Sequence, residues 1–292
     1  MNADARCAIG FAVIVVKLCG SASTVDAETN SHLPRLIAFS PSEMKACEAA
    51  QINLACAESL FGAETLNLRE SLTLLDQWAK HVKSETERHL YRFRKSPNEF
   101  QNCEGYFRML MMAVVLYEDF GVRYNTNRMS NSTEPRANDG FFADSRDVFI
   151  HGLLGPRRTG TCSSMPVLYV ALGRRLGYPL KLVKAKGHLF ARWESADGRE
   201  RFNIEATSRG LNTFPDNYYK QWPYRMSEQD LKSGHYLRSL TAHEEVALFL
   251  QTRGHCLRAG GRLVEAKIAY EQARRFAPNW PEHDLLIATL NL

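Results

Sequence analysis

Three residues of this chain, Cys162, His188 and Glu205, have the types and the order that thiol chemistry needs. Cys162 follows Gly160-Thr161 and precedes Ser163-Ser164-Met165-Pro166 and an apolar run, residues 167–176, that reads as a helix. A thiol at or near a helix N-terminus meets free backbone N–H groups and the positive end of the helix dipole, which favour the thiolate. On its own such a cysteine is more often a small buried hydrophobe. A histidine able to take the thiol proton, and an acid able to orient that histidine, change its meaning.

The acid and the base are brought together by a hairpin. Residues 187–193 (GHLFARW) and 201–207 (RFNIEAT) alternate like paired strands around Asp197-Gly198, the strongest short hairpin signal in the chain. With Asp197 and Gly198 as the loop, Ala196 faces Arg199, His188 falls opposite Thr207 and Glu205 opposite Phe190. His188 and Glu205 are then diagonal neighbours on one sheet face, about 7–8 Å apart at the backbone and within side-chain reach. A carboxylate there accepts a hydrogen bond from the imidazole, fixes its tautomer and supports its charged form. One extra loop residue would break this register.

The remaining elements have to position these groups. Ser40-Pro41-Ser42-Glu43 is a capping-box signature, followed at helical spacing by Ala49, Ile52, Ala55 and Leu60. Leu72, Leu75, Trp78, Ala79 and Val82 mark a second helix, charged towards residues 83–88. A third is expected from about Glu99 to Gly121, with Met109, Met111 and Met112 as core filling. Residues 125–140 read as a surface loop and residues 144–154 as an apolar segment leading into Arg157-Arg158. Two adjacent arginines before the thiol could draw an acidic substrate or support a thiolate, but exposed arginines usually do neither. Residues 180–184 form a further strand.

Composition bounds the rest. The 292 residues are 45% hydrophobic and 24% charged with a formal net charge of +5, which fits a globular chain with a substantial core. The charges are interspersed, so nucleic acid is not an expected partner. Seven scattered cysteines, with no CxxC and no zinc-type spacing, point to reduced thiols rather than a disulfide framework or a metal site, and no cofactor is expected. Residues 7–16 (CAIGFAVIVV) are too short for a stable membrane span. They could serve as a signal peptide ending at Gly20-Ser21-Ala22, although Asp4 and Lys17 spoil that pattern, so the expected location is cytoplasmic with export as the alternative. Asn131-Ser132-Thr133 is a glycosylation triplet that decides nothing.

Residues 160–177 resemble the cysteine helix of the transglutaminase-like superfamily, residues 187–193 its histidine strand and residues 203–207 its acid strand. The segment from about Glu43 to Phe120 is similar to the bacterial branch with a helical N-terminal part. The resemblance implies an α+β fold with a papain-like core, the cysteine helix packed on a small antiparallel sheet. In that core Cys162 is the nucleophile, His188 the base and Glu205 the group that orients it. It implies an N-terminal extension (1–40), a transglutaminase-like domain (41–240, with a helical part 41–123 and a catalytic core 141–240) and a C-terminal helical region (244–292). The superfamily usually has aspartate at the position of Glu205 and a small residue at that of Pro166. Because proline lacks an N–H and prefers a first helical turn, the helix is expected to start nearer Pro166 than Cys162.

Residues 247–280 also resemble one tetratricopeptide repeat: Leu250, Gly254 and Leu257 on a first helix, Gly261 at the turn, then Ala266, Tyr270, Ala273 and Pro278. One such pair cannot bury its own apolar face, so it must dock on the rest of the chain or seat a protein partner. The aromatic stretch between, with Phe214, Tyr218, Tyr219, Trp222 and Tyr224, is placed to line a cleft or to cap the core edge. Two functions follow. The first is a thiol-dependent hydrolase or acyl transferase acting on a peptide or protein amide through a thioester. The second is an inactive scaffold of the same fold that binds a protein through its C-terminal helices.

Overall fold

Two helices without a polar face form the centre of the molecule. In the computed structural model, which describes residues 32–34, 38, 48–128 and 140–290, helix α1 (Ala49–Ala57) is buried on almost every side. A helix that is apolar all round belongs inside a core. The N-terminal apolar run, the Gly20-Ser21-Ala22 site, the capping box at residues 40–43 and the Asn131 triplet lie outside the described residues.

Helix α2 (Leu68–Lys95) is the long amphipathic element, about 42 Å at 1.5 Å per residue. It buries Leu68, Leu75, Trp78, Ala79 and Val82. Asn67 caps its N-terminus by accepting from Glu70 N at 3.1 Å, and Arg92, Arg94 and Lys95 complement the dipole at the other end. Helix α3 (Glu104–Val114) begins five residues later than the expected Glu99. A separate 3-10 turn, Pro97–Phe100, ends in Gln101 and Asn102, both left-handed, and this breaks the helical path before Cys103 can cap α3. From Val115 to Asp119 the coil widens into a π turn capped by Phe120, with left-handed Gly121 directly after it. Met109 and Met112 fill the main core as expected, while Met111 belongs to a satellite cluster with Phe100 and Phe107.

The elements around the three candidate residues are short until the second buried helix is reached. Strand β1 (Arg123–Tyr124) pairs in parallel with β2 (Thr159–Gly160), and between them lie α4 (Ser145–Val148) and α5 (His151–Leu154). Helix α6 (Met165–Arg175) is buried from Met165 to Gly173 and packs on a three-stranded antiparallel sheet, β3 (Leu180–Ala185), β4 (His188–Glu194) and β5 (Arg201–Ile204). Gly173 lets the first strand close on this helix, since a Cβ there would lie 2.3 Å from Leu180 Cδ1. Helix α7 (Asp216–Tyr219) and helix α8 (Glu228–Lys232) follow the sheet.

The chain closes with α9 (Ala242–Ala259), α10 (Leu263–Phe276) and α11 (Glu282–Ala288). The first two form a helical hairpin in which Gly254 admits the Tyr270 ring; a Cβ at Gly254 would sit 2.3 Å from it. This pair docks on the rest of the chain. Helix α9 packs on α1, and Glu245 near its start receives both guanidinium nitrogens of Arg174 on α6, at 2.6 and 2.8 Å. Lys184 of β3 reaches the face of Trp280, 3.5 Å from the ring centroid, and pairs with Glu282. The architecture is mixed, helices with one small sheet, as an α+β chain should be. No helix among the described residues is long and apolar enough to cross a membrane.

Candidate active site

The turn that carries Cys162 is tied down by its neighbours' hydroxyls. Thr161 Oγ1 and Ser164 Oγ both donate to the carbonyl oxygen of Asp147, at 2.9 and 2.8 Å. Thr161 N donates back to Ser164 Oγ, Ser163 N to Thr161 Oγ1, and Ser164 N and Met165 N to Thr161 O. The N–H of Cys162 alone in this turn finds no acceptor among the described residues. Ser164 is the N-cap of α6 and Pro166 sits in its first turn, so Cys162 lies two residues ahead of the cap. The helix dipole therefore acts from farther away than a thiol inside the first turn would feel, as the proline foretold.

Asp147 holds this turn and is itself clamped. Its buried carboxylate accepts from Asn125 Nδ2 and Arg128 Nε, both at 2.8 Å, and from Arg157 Nη2 at 3.2 Å. Arg157 also pairs with Asp144. Arg158 lies over the Trp78 ring, 4.8 Å from its centroid, and donates to the carbonyls of Leu153 and Leu154. Both arginines are engaged in the fold. Gly160 leaves no room beside the turn, because a Cβ there would come within 2.4 Å of Ser164 Oγ and 2.9 Å of Leu153 Cδ2. Gly160→Ala is expected to cost about 1–3 kcal/mol by overpacking and to displace the Cys162 turn. Urea unfolding of this variant beside Gly260→Ala, where the nearest contact is an ordinary 3.5 Å, checks the first part.

The hairpin holds the register expected of it. Ala191 pairs with Ile204, Arg192 with Asn203, Trp193 with Phe202 and Glu194 with Arg201. The loop is longer than two residues: the last backbone bond is Ser195 N to Glu200 O, and residues 196–199 turn with Gly198 in the left-handed region. Ala196 and Arg199 drop out of the ladder together, so the register survives. At the other end the ladder stops at Ile204, and Glu205 bridges to Asn212 instead of facing Phe190. His188 and Glu205 nevertheless meet, with His188 Nε2 2.8 Å from Glu205 Oε2.

Every lone-pair direction of that carboxylate is used. Oε1 accepts from Thr207 N at 3.1 Å and Thr207 Oγ1 at 2.5 Å, and Oε2 accepts from His188 and from Tyr219 OH at 3.2 Å. Burial would push the imidazole pKa down, but the neighbouring Cys162 and the bonded Glu205 outweigh it and hold His188 up at about 9. For Glu205 burial acts upward and is outweighed by His188 and Thr207, so the carboxyl stays below its usual range. Each shift favours the charged form of its group, imidazolium on one side and carboxylate on the other. With Nε2 committed to Glu205, Nδ1 is the ring atom left for the thiol.

His188 and Glu205 meet as the hairpin register requires, and residues that the sequence did not mark surround them. Tyr124, opposite Gly160 in the two-residue parallel ladder, has its hydroxyl raised above the usual range by burial first and by the neighbouring Cys162 and Glu205 next. Neither Tyr124 nor Asp147 carried a local signal, because each reaches the turn through pairing across many residues. Trp222 stands edge-on to His188, ring centroids 4.6 Å apart. Among the described residues no group of three or more His, Cys, Asp or Glu side chains is placed to hold a metal ion.

The sequence profile of the transglutaminase-like superfamily matches residues 69–244, a span that contains all three side chains. No curated protein and no solved structure matches the chain. Since the profile covers more than half of the sequence, the protein belongs to the transglutaminase-like superfamily.

Proposed function

We propose that this protein is a thiol-dependent amide or peptide hydrolase or acyl transferase, with a papain-like Cys162–His188–Glu205 site. The observation that carries the reading is the His188 Nε2–Glu205 Oε2 bond of 2.8 Å, which favours a cationic imidazole near enough to Cys162 for the thiol to bear on its titration. An imidazolium beside a thiol favours its thiolate. The thiolate attacks the substrate carbonyl, and the free N–H of Cys162 receives the oxyanion. His188 then gives its proton to the departing amine, leaving a thioester on Cys162. Water, or an accepting amine, attacks that thioester while the now neutral His188 takes its proton. Cys162→Ala is expected to abolish turnover in a broad amidase and peptidase screen; undiminished activity in that variant overturns the assignment.

A second reading, a scaffold without turnover, is favoured by one feature of the C-terminal helices. Val264 and Ile268 on α10 and Leu285 on α11 are 63%, 49% and 66% exposed, which suits a protein partner. The close fit of Gly254 against Tyr270 supports the tetratricopeptide-like character of the hairpin. Under this reading Cys162 is inert to alkylating agents. The free thiols of Cys56, Cys103, Cys162 and Cys256 support a reducing, cytoplasmic setting for either activity.

A further inference from the structure

The imidazole of His188 has one large exposed neighbour. Trp222 meets it edge-on at 4.6 Å with the ring planes at 70°, and 37% of this tryptophan is exposed. From there a row of rings leads away from the imidazole: Tyr218 lies 5.4 Å from Trp222, and Phe214 stacks on Tyr218 at 4.2 Å. The three residues are four apart, and the turn of α7 between them brings them to one side. Beneath the row, Tyr219 is fully buried against Phe190, ring centroids 3.9 Å apart, so the row rests on a fixed base. The carboxylate in this stretch, Asp216, is consumed by Arg192, Arg201 and Asn203. It is not available to hold a cationic side chain.

We propose that Trp222, Tyr218 and Phe214 form the subsite for the nitrogen side of the amide, and that it selects an amine bearing an aryl group. This rests on the thiol acyl-transfer reading above. In that chemistry the carbonyl carbon bonds to Cys162 and its oxygen faces the Cys162 N–H, so the acyl part occupies the cysteine side of the site. The departing nitrogen takes its proton from His188, and its substituent therefore lies on the surface beside that imidazole. An accepting amine enters through the same place, because it gives its proton to the same atom. The rings there are the exposed Trp222 and the half-buried Tyr218 and Phe214, and an aromatic edge or face left open among them holds a flat apolar group.

The test uses the whole chain and p-nitrophenyl acetate as acyl donor. Cys162 Sγ forms a bond to the acetyl carbon, and p-nitrophenolate leaves with the bonding electron pair. In the second step an amine nitrogen attacks the thioester, the C–N bond forms as C–S breaks, and the amine proton passes through His188 to the released sulfur. Phenylethylamine and n-butylamine, supplied in turn at equal free-base concentration, are compared by the amount of N-substituted acetamide formed over a Cys162→Ala blank. Phenylethylamine is expected to intercept the acetyl-enzyme about three- to tenfold better. Trp222→Ala brings that ratio close to one, and Trp222→Phe keeps most of it. The ratio is internal to each variant, so a change in overall rate cancels. Acetylation of Cys162 without a preference, a preference unchanged in Trp222→Ala, or acetate as sole product overturns the subsite and leaves the thiol chemistry standing. A Cys162 that is not acetylated at all overturns both.

Discussion

Iodoacetamide is expected to alkylate Cys162 at pH 6 at least about tenfold faster in the native protein than in a His188→Ala variant. An ordinary thiol is almost wholly protonated at that pH and reacts slowly. The cationic imidazole of His188, held up at about 9, is what sets this thiol apart. The advantage should persist through neutrality and fade as pH rises through about 9, where the imidazole loses its proton and with it the attraction for a thiolate. The competing thiols are poor targets. Burial pushes Cys56 and Cys256 up to about 12, and Cys103 is raised by burial with Glu200 beside it. Peptide mapping separates Cys162 from these and from Cys7, Cys19 and Cys47. Equal labelling rates with and without His188 would leave the scaffold reading in possession.

The parts of this site that were legible in the sequence are those made by local chemistry. Asp197-Gly198 and strand alternation define a register, and the register delivers Glu205 to His188 even though the loop spans four residues rather than two. Pro166 marks the first turn of α6 because it has no N–H to offer a preceding carbonyl. The parts that were not legible come from pairings distant in the chain. Tyr124 reaches the thiol through a ladder of two residues per strand, too short to leave a periodic trace. Asp147 holds the turn with its main-chain oxygen, which any residue type possesses. The late start of α3 depends on left-handed Gln101 and Asn102, a conformation that composition does not require of either. The docking of α9 rests on Arg174 and Glu245, 71 positions apart, and neither differs by type from the exposed charges around it.

The largest stability effect is expected at Glu205, and it should depend on pH. Glu205→Gln keeps the size of the side chain and removes its charge. Thr207 N–H is a fixed donor to Oε1, so the amide of the glutamine must keep its oxygen there and turn its NH2 towards His188. An NH2 at that place makes Nε2 an acceptor and moves the ring proton to Nδ1, where it points at Cys162. The histidine is then the wrong tautomer to take a thiol proton, a fault that elsewhere costs about 10⁴ in kcat. The imidazole also loses one of the two partners that kept it charged. In the native protein His188 is raised from 6.5 to about 9, so the stability it contributes is complete below pH 6.5 and is lost as pH rises through 9. Glu205 is lowered, so its share of the same pair is present above the ordinary carboxylate range and lost in acid. The two windows overlap between about pH 4.5 and 6.5, and there the native protein should exceed Glu205→Gln by roughly 3 kcal/mol. By pH 10, with the native imidazole neutral, the gap should close to about 1 kcal/mol or less. Urea unfolding of both proteins from pH 5 to 10 measures it. A gap that stays constant across that range would mean that Glu205 acts by packing and neutral hydrogen bonds alone, and that the imidazolium on which the thiol chemistry depends is not formed.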